Sequence, residues 1–149
     1  DAPVLEKAEK AGIETVAITN SAAANGPFMV SLMASYNVHF IALAGYLRFV
    51  PKELITEYAG SLVNIHPSLL PKYGGKGMFG AKVHESGIAN KEQESGITIH
   101  FVNEVYDDGE VVFQAKVEVS SNDSAQSLAQ KIHKLEHEHY PKVVEQLLG

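Results

Sequence analysis

The sequence predicts an α/β fold: a mostly parallel, Rossmann-like central sheet with helices on both faces and an antiparallel strand pair in its C-terminal part. Three observations lead there. Helical apolar spacing alternates with short apolar runs through the first half of the chain, the rhythm of βαβ units. The run from His39 to Gly45 is short, apolar and ends in glycine, as a fully buried strand of a parallel sheet does. Ile97–Val102 and Val111–Val119 alternate with period two around Asp107-Asp108-Gly109, and an Asp-Gly pair is a hairpin signal.

The elements follow in order. Val4, Leu5, Ala8 and Ala11 mark a first helix, with Pro3 suited to its first turn and Gly12 to its C-terminal cap. Ile13–Thr19 alternates like a strand, and Ser21–Gly26 carries no signal and reads as loop. Phe28, Met29, Leu32, Met33 and Tyr36 recur at helical spacing. Pro51 opens a short helix to Tyr58, and Ser61–Ile65 reads as the next strand. Lys72 to Gly80 holds glycines at 74, 75, 77 and 80, too many for a helix, so a loop is expected there and a short helix over Ala81–Ala89. A long helix from about Asp123 closes the chain, its stripe marked by Leu128, Ile132, Leu135, His139, Val143 and Leu147. Asn122, Asp123 or Ser124 can cap it, and Pro141 is expected to kink it or end its first half.

Composition excludes several function classes. At 149 residues the chain suits a single domain, and 45% hydrophobic with 20% charged residues is a globular composition. Twelve basic against 18 acidic residues give −6, which opposes broad binding to nucleic acid or an anionic membrane. Without cysteine there is no disulfide scaffold, thiolate metal site or thiol nucleophile. The longest apolar run, Phe40–Tyr46, is far too short to span a bilayer, and no signal peptide opens the chain, so a cytoplasmic protein is the default expectation.

Chemistry concentrates at Asn64-Ile65-His66-Pro67-Ser68-Leu69-Leu70-Pro71. It lies at the carboxyl end of a predicted parallel strand, where open α/β sheets place their ligands. Asn64 and His66 are two apart, so both side chains leave the same face. A carboxamide and an imidazolium aimed at one point can hold an oxyanion. A carboxylate must keep such a cation protonated, and Asp107, beside the Gly109 turn, is the candidate. The competing structural reading makes His66 a satisfied strand histidine and Asp107-Asp108-Gly109 only a turn. Leu70-Pro71 reads as a cis peptide beside the site.

Together with Leu43–Arg48, Gly96–Val102 and Tyr106–Gln114, that segment resembles the glycinamide ribonucleotide transformylases, folate-dependent formyltransferases of purine biosynthesis. The resemblance runs from Asp1 to Leu135-Glu136-His137-Glu138-His139-Tyr140-Pro141 and rests on several motifs in the same order. It implies catalytic roles for Asn64, His66 and Asp107, with Gln114 fixing the register that selects Asp107 over Asp108. Contacts to the formyl donor, 10-formyltetrahydrofolate, would come from Leu47, Arg48, Phe49 and Val50 and from Asn103, Glu104, Val105 and Tyr106. Ribonucleotide contacts would fall on His133, Lys134, Leu135 and Glu136. The expected partners are small molecules only, with no metal and no nucleic acid, and the oligomeric state is left open. The resemblance also implies one domain over 1–149 that lacks a first strand, first helix and glycine-rich phosphate turn, and a short C-terminal segment.

Alternatives stay open. A formyltetrahydrofolate deformylase shares the Asn-x-His strand and late aspartate, and a folate-binding domain without turnover would keep the motif. A methionyl-tRNA formyltransferase shares it too, but Pro67 and the absence of a basic C-terminal domain speak against that. Gly74–Gly80 reads either as a mobile lid over the folate side or as an insertion without a role. His133 and His137 have metal-ligand spacing on a helix, but Lys134 stands where a zincin has its glutamate. His100 is expected beside the site, and His39 and His84 in structural or surface positions.

Overall fold

The computed structural model describes residues 3–149. Helix α1 (Pro3–Lys10) ends at Gly12, whose φ of 72° is the left-handed conformation a helix C-terminus favours. Helix α2 (Asn20–Ala24) is capped by the Thr19 hydroxyl and α3 (Gly26–Ser35) by the Asn25 carboxamide. Then come β1 (Ile41–Leu43), α4 (Lys52–Glu57), β2 (Leu62–His66), α5 (Ala81–Ala89), β3 (Glu94–Phe101), β4 (Val111–Glu118) and α6 (Ala125–Leu148). The strands lie in the order β1-β2-β3-β4. β1 is parallel to β2, and β3 and β4 are each antiparallel to the strand before. The expected α/β sheet with its antiparallel C-terminal pair is present, and its parallel part among the described residues is the β1–β2 pair.

Alternation on β2 divides the core between the two faces of the sheet. Val63 and Ile65 join Ile97 and Ile99 against Leu128, Ile132 and Val143 of α6. Leu62 faces the other way, with Met29 of α3 and Leu54 of α4. Asn64 and His66 share the parity of Leu62, and the register sets them opposite His100 and Thr98. The polar face of β2–β3 is thus fixed by the same alternation that buries the isoleucines.

The structure corrects several local expectations. Ile13–Thr19 is extended but forms no strand, and Ile13 and Val16 stay exposed, because no neighbouring strand among the described residues offers it a ladder. Ser21–Gly26, expected as loop, lies mostly in α2, which the Thr19 and Asn25 caps delimit. The strand expected over His39–Gly45 is only three residues long and half-buried, and among the described residues β2 alone pairs with it. The β3–β4 connection runs from 102 to 110, so Asp107-Asp108-Gly109 is part of a long loop and not a two-residue hairpin. Pro141 does not end α6. It sits on the exposed side beside exposed His137, whose carbonyl loses the Pro141 donor where water can replace it. The α6 cap is Ser124, which exchanges hydrogen bonds with Ser127 in a capping box.

Candidate active site

His66 ends β2 and is 4% exposed, so its polar atoms must find partners inside the fold. Its Nε2 lies 2.7 Å from the Tyr73 carbonyl oxygen, and its Nδ1 lies 3.4 Å from Asp107 Oδ1. A carbonyl only accepts, so the Nε2 proton is fixed by Tyr73. Asp107 sits at φ 55°, a left-handed conformation that aspartate tolerates. Gly109 follows where a Cβ would run into the Phe101 carbonyl, so the loop closes this tightly only with glycine. The second carboxylate oxygen of Asp107 accepts the Gly75 amide at 3.0 Å. Behind it His100 is 2% exposed, with Nε2 3.6 Å from Asp107 Oδ1, too far for a hydrogen bond. That atom and Nδ1 of buried His84 have no hydrogen-bond partner in the fold.

Burial dominates the titration of His66 and pushes it below the usual histidine range. The Asp107 charge and the Tyr73 carbonyl pull the other way without making up the difference. Burial also opposes ionisation of Asp107, but the neighbouring His100, the charge of His66 and the Gly75 amide outweigh it and hold the carboxyl below its ordinary value. The unliganded pair is therefore a carboxylate beside a neutral imidazole at neutral pH. Asp107 thus raises the His66 value as a neighbouring carboxylate is expected to, but by less than burial lowers it.

A cleft opens on the same face. Arg48, Phe49, Val50, Asn103, Val105 and Tyr106 line it, together with Asn64, His100 and Asp107. The Phe49 and Tyr106 rings meet edge to face at 4.8 Å. Of the predicted donor contacts, Leu47 and Glu104 point into solvent on either side of the cleft. Arg48 is hydrogen-bonded to the Asn20 side chain, which ties the cleft to α2. On α6, exposed His133 bonds half-buried Glu136 through Nδ1 at 3.1 Å, and the Glu136 charge acts on His66. Lys134 is exposed, and Leu135 packs onto the core. His137 is exposed as well, and no three metal-ligating side chains converge among the described residues. His39 is exposed, whereas His84 is buried in α5. The Leu70–Pro71 peptide is cis. Behind that turn Thr98 donates to the Ser68 carbonyl at 2.7 Å, and its hydroxyl accepts from Leu70 N and Gln114 Nε2. A larger cavity of about 300 Å³ lies there, between α5, the start of β3 and Leu128, and none of the predicted site residues lines it.

Sequence reasoning missed the main-chain contacts of Tyr73 and Gly75, which leave no signature in residue type. Of the structural and surface alternatives for His84, the structure has the buried one, beside Val83 in α5.

An open α/β sheet with a carboxylate, an imidazole and an aromatic cleft at the carboxyl end of a strand is the layout of a domain that binds small ligands. The chain belongs to the formyl transferase family, whose model matches residues 1–144. It is 48% identical over 119 residues to the chloroplastic phosphoribosylglycinamide formyltransferase of Vigna unguiculata, covering 80% of this chain and 38% of that one. It is 37% identical over 152 residues to the phosphoribosylglycinamide formyltransferase of Bacillus subtilis, covering 99% of this chain and 75% of that one. The crystal structure of the Streptococcus pneumoniae phosphoribosylglycinamide formyltransferase superposes with a TM-score of 0.88 at 33% identity, covering all of this chain and 82% of that one. The chain thus spans about two fifths of the plant relatives and three quarters of the bacterial one.

Proposed function

We propose that this chain carries the site for formyl transfer from 10-formyltetrahydrofolate to the primary amine of phosphoribosylglycinamide. The observation that carries the reading is the His66–Asp107 pair, 3.4 Å apart, beside a cleft that also holds Asn64 and two aromatic rings. A flat heteroaromatic donor suits the apolar surface that Phe49, Tyr106 and Val50 present to the cleft, with main-chain groups of the 103–107 loop to bond its polar edge. Glu136 on α6 suits ribose hydroxyls, which donate to a carboxylate.

In this reading the amine attacks the formyl carbon. The new N–C bond forms as the bond to the folate nitrogen breaks, and one proton passes from the attacking to the departing nitrogen. The Asn64 amide and the His66 Nε2–H face the oxygen that becomes negative. Nε2 now bonds Tyr73, so that carbonyl must yield as substrate enters. Developing negative charge reverses the balance that keeps His66 neutral, and Asp107 takes up the Nδ1 proton contact as the imidazole charges. Asp107 also suits the task of ordering a water that relays the transferred proton.

The test is a spectrophotometric assay of the protein with a 10-formylfolate, with and without the ribonucleotide. Folate product that forms only with the ribonucleotide supports the transfer. Product without it would point to hydrolysis, and none in either tube would leave a binding domain.

A further inference from the structure

Tyr140 lies one turn beyond Glu136 on α6, and its ring packs at the edge of the core between the helix and the sheet. Its hydroxyl crosses to the strands and donates to the Leu43 carbonyl at 2.6 Å, with the Val63 carbonyl 3.5 Å away. Both acceptors are placed at the site. Leu43 is the last residue of β1, and the cleft segment Gly45–Val50 begins two residues later. Its register partner across the pair is Asn64, and Val63 is the residue before Asn64.

We propose that Tyr140 is a positioning residue for the formyl donor: its hydroxyl ties the end of β1 to α6 and so holds the Gly45–Val50 wall of the cleft in register with Asn64. The proposal rests on the formyl-transfer reading. β1 has only three residues, and a strand so short is weakly held by its own ladder. The segment it feeds is anchored at Val50 in the core but exposed at Leu47, Arg48 and Phe49, so packing holds its middle weakly. A short hydrogen bond at the point where strand becomes loop adds a constraint at the start of this wall, where the Arg48–Asn20 bond and the Phe49–Tyr106 contact do not reach. Burial pushes the Tyr140 hydroxyl above the ordinary tyrosine value, so it stays a donor throughout the working pH range.

Tyr140→Phe removes one oxygen and keeps the ring in the core. The variant is compared with the parent protein in both KM values and in hydrogen–deuterium exchange. We expect the KM for the formyl donor to rise about tenfold, from a buried carbonyl left without its donor, and the KM for the ribonucleotide to stay within about twofold. Exchange should quicken over Gly45–Val50 and stay unchanged over Ile97–Phe101. Fluorinated tyrosine at position 140 keeps the bond and should restore both readouts. Unchanged kinetics and exchange overturn the proposal. So does a parallel rise in both KM values with faster exchange across β3, or a variant too unstable to purify, since these mark a general structural role. A parent protein with no formyl transfer defeats the functional reading alone, and the exchange comparison still decides the role of Tyr140.

Discussion

At the scale of the residue, His66 answers to two neighbours with opposite demands. Tyr73 fixes a proton on Nε2, and Asp107 offers a negative oxygen to Nδ1, which holds no proton while the ring is neutral. The 3.4 Å separation is longer than a charged hydrogen bond and fits that neutral state. His66→Ala should lower kcat by about 10²–10³-fold with the fold intact, the loss typical of one oxyanion donor. Asp107→Asn should do at least as much, and near-normal turnover of either variant in the formylfolate assay would remove the assigned roles. Acid has a defined effect on stability. His66 and His84 both lie below their ordinary value of 6.5 in the fold because burial disfavours their charge. The unfolded chain therefore binds more protons below that value, and stability falls as pH drops through the folded values. A melting temperature that declines between pH 7.5 and 5.5 is expected, and one that holds or rises would contradict it. The site pair itself was legible: alternation put Asn64 and His66 on one face, and the family resemblance selected Asp107. The contacts from Tyr73 and Gly75 were not, because main-chain donors and acceptors are common to almost all residue types.

At the scale of the element, legibility followed the strength of the local signal. Helix α5 falls on Ala81–Ala89 as expected, bounded by Gly80 and Asn90, and α4 follows Pro51. Ile13–Thr19 shows the converse. Alternation states which face a strand would bury, but a strand also needs a neighbour to bond, and the sequence does not encode that neighbour locally. α2 was missed because alanine and serine carry no apolar rhythm, although Thr19 and Asn25 were readable caps. Capping also gives a direct test. Ser124→Ala should destabilise the protein by about 1 kcal/mol through the loss of the acceptor that Ser124 Oγ offers to Ser127 N, measured by denaturant midpoint. No change in midpoint would show that Asp123, which already accepts from the Ser127 hydroxyl and Ser120 N, takes over the cap.

At the scale of the whole molecule, one sheet serves two purposes. One face of β2–β3 is closed by α6, and the other carries the polar site. Ile97, Ile99 and Ile132 are all fully buried, so truncation there leaves a void that close-packed neighbours fill poorly. Ile132→Ala should cost about 2–5 kcal/mol while the kinetics of the folded fraction stay unchanged. A selective loss of turnover without loss of stability would mean that the two faces are not separable. The antiparallel arrival of β3 was visible only as alternation, and its placement beside β2 depends on the long return through the Lys72–Gly80 loop and α5. That loop has one more consequence. It reaches both His66 and Asp107 through its main chain alone, and a Cβ on Gly74 would press on the Leu70 side chain and on Asp107. The path is therefore set by backbone and not by side chains: replacing exposed Lys76 or Phe79 leaves both contacts in place, whereas any side chain at Gly75, Gly77 or Gly80 strains the left-handed turns that bring the loop there.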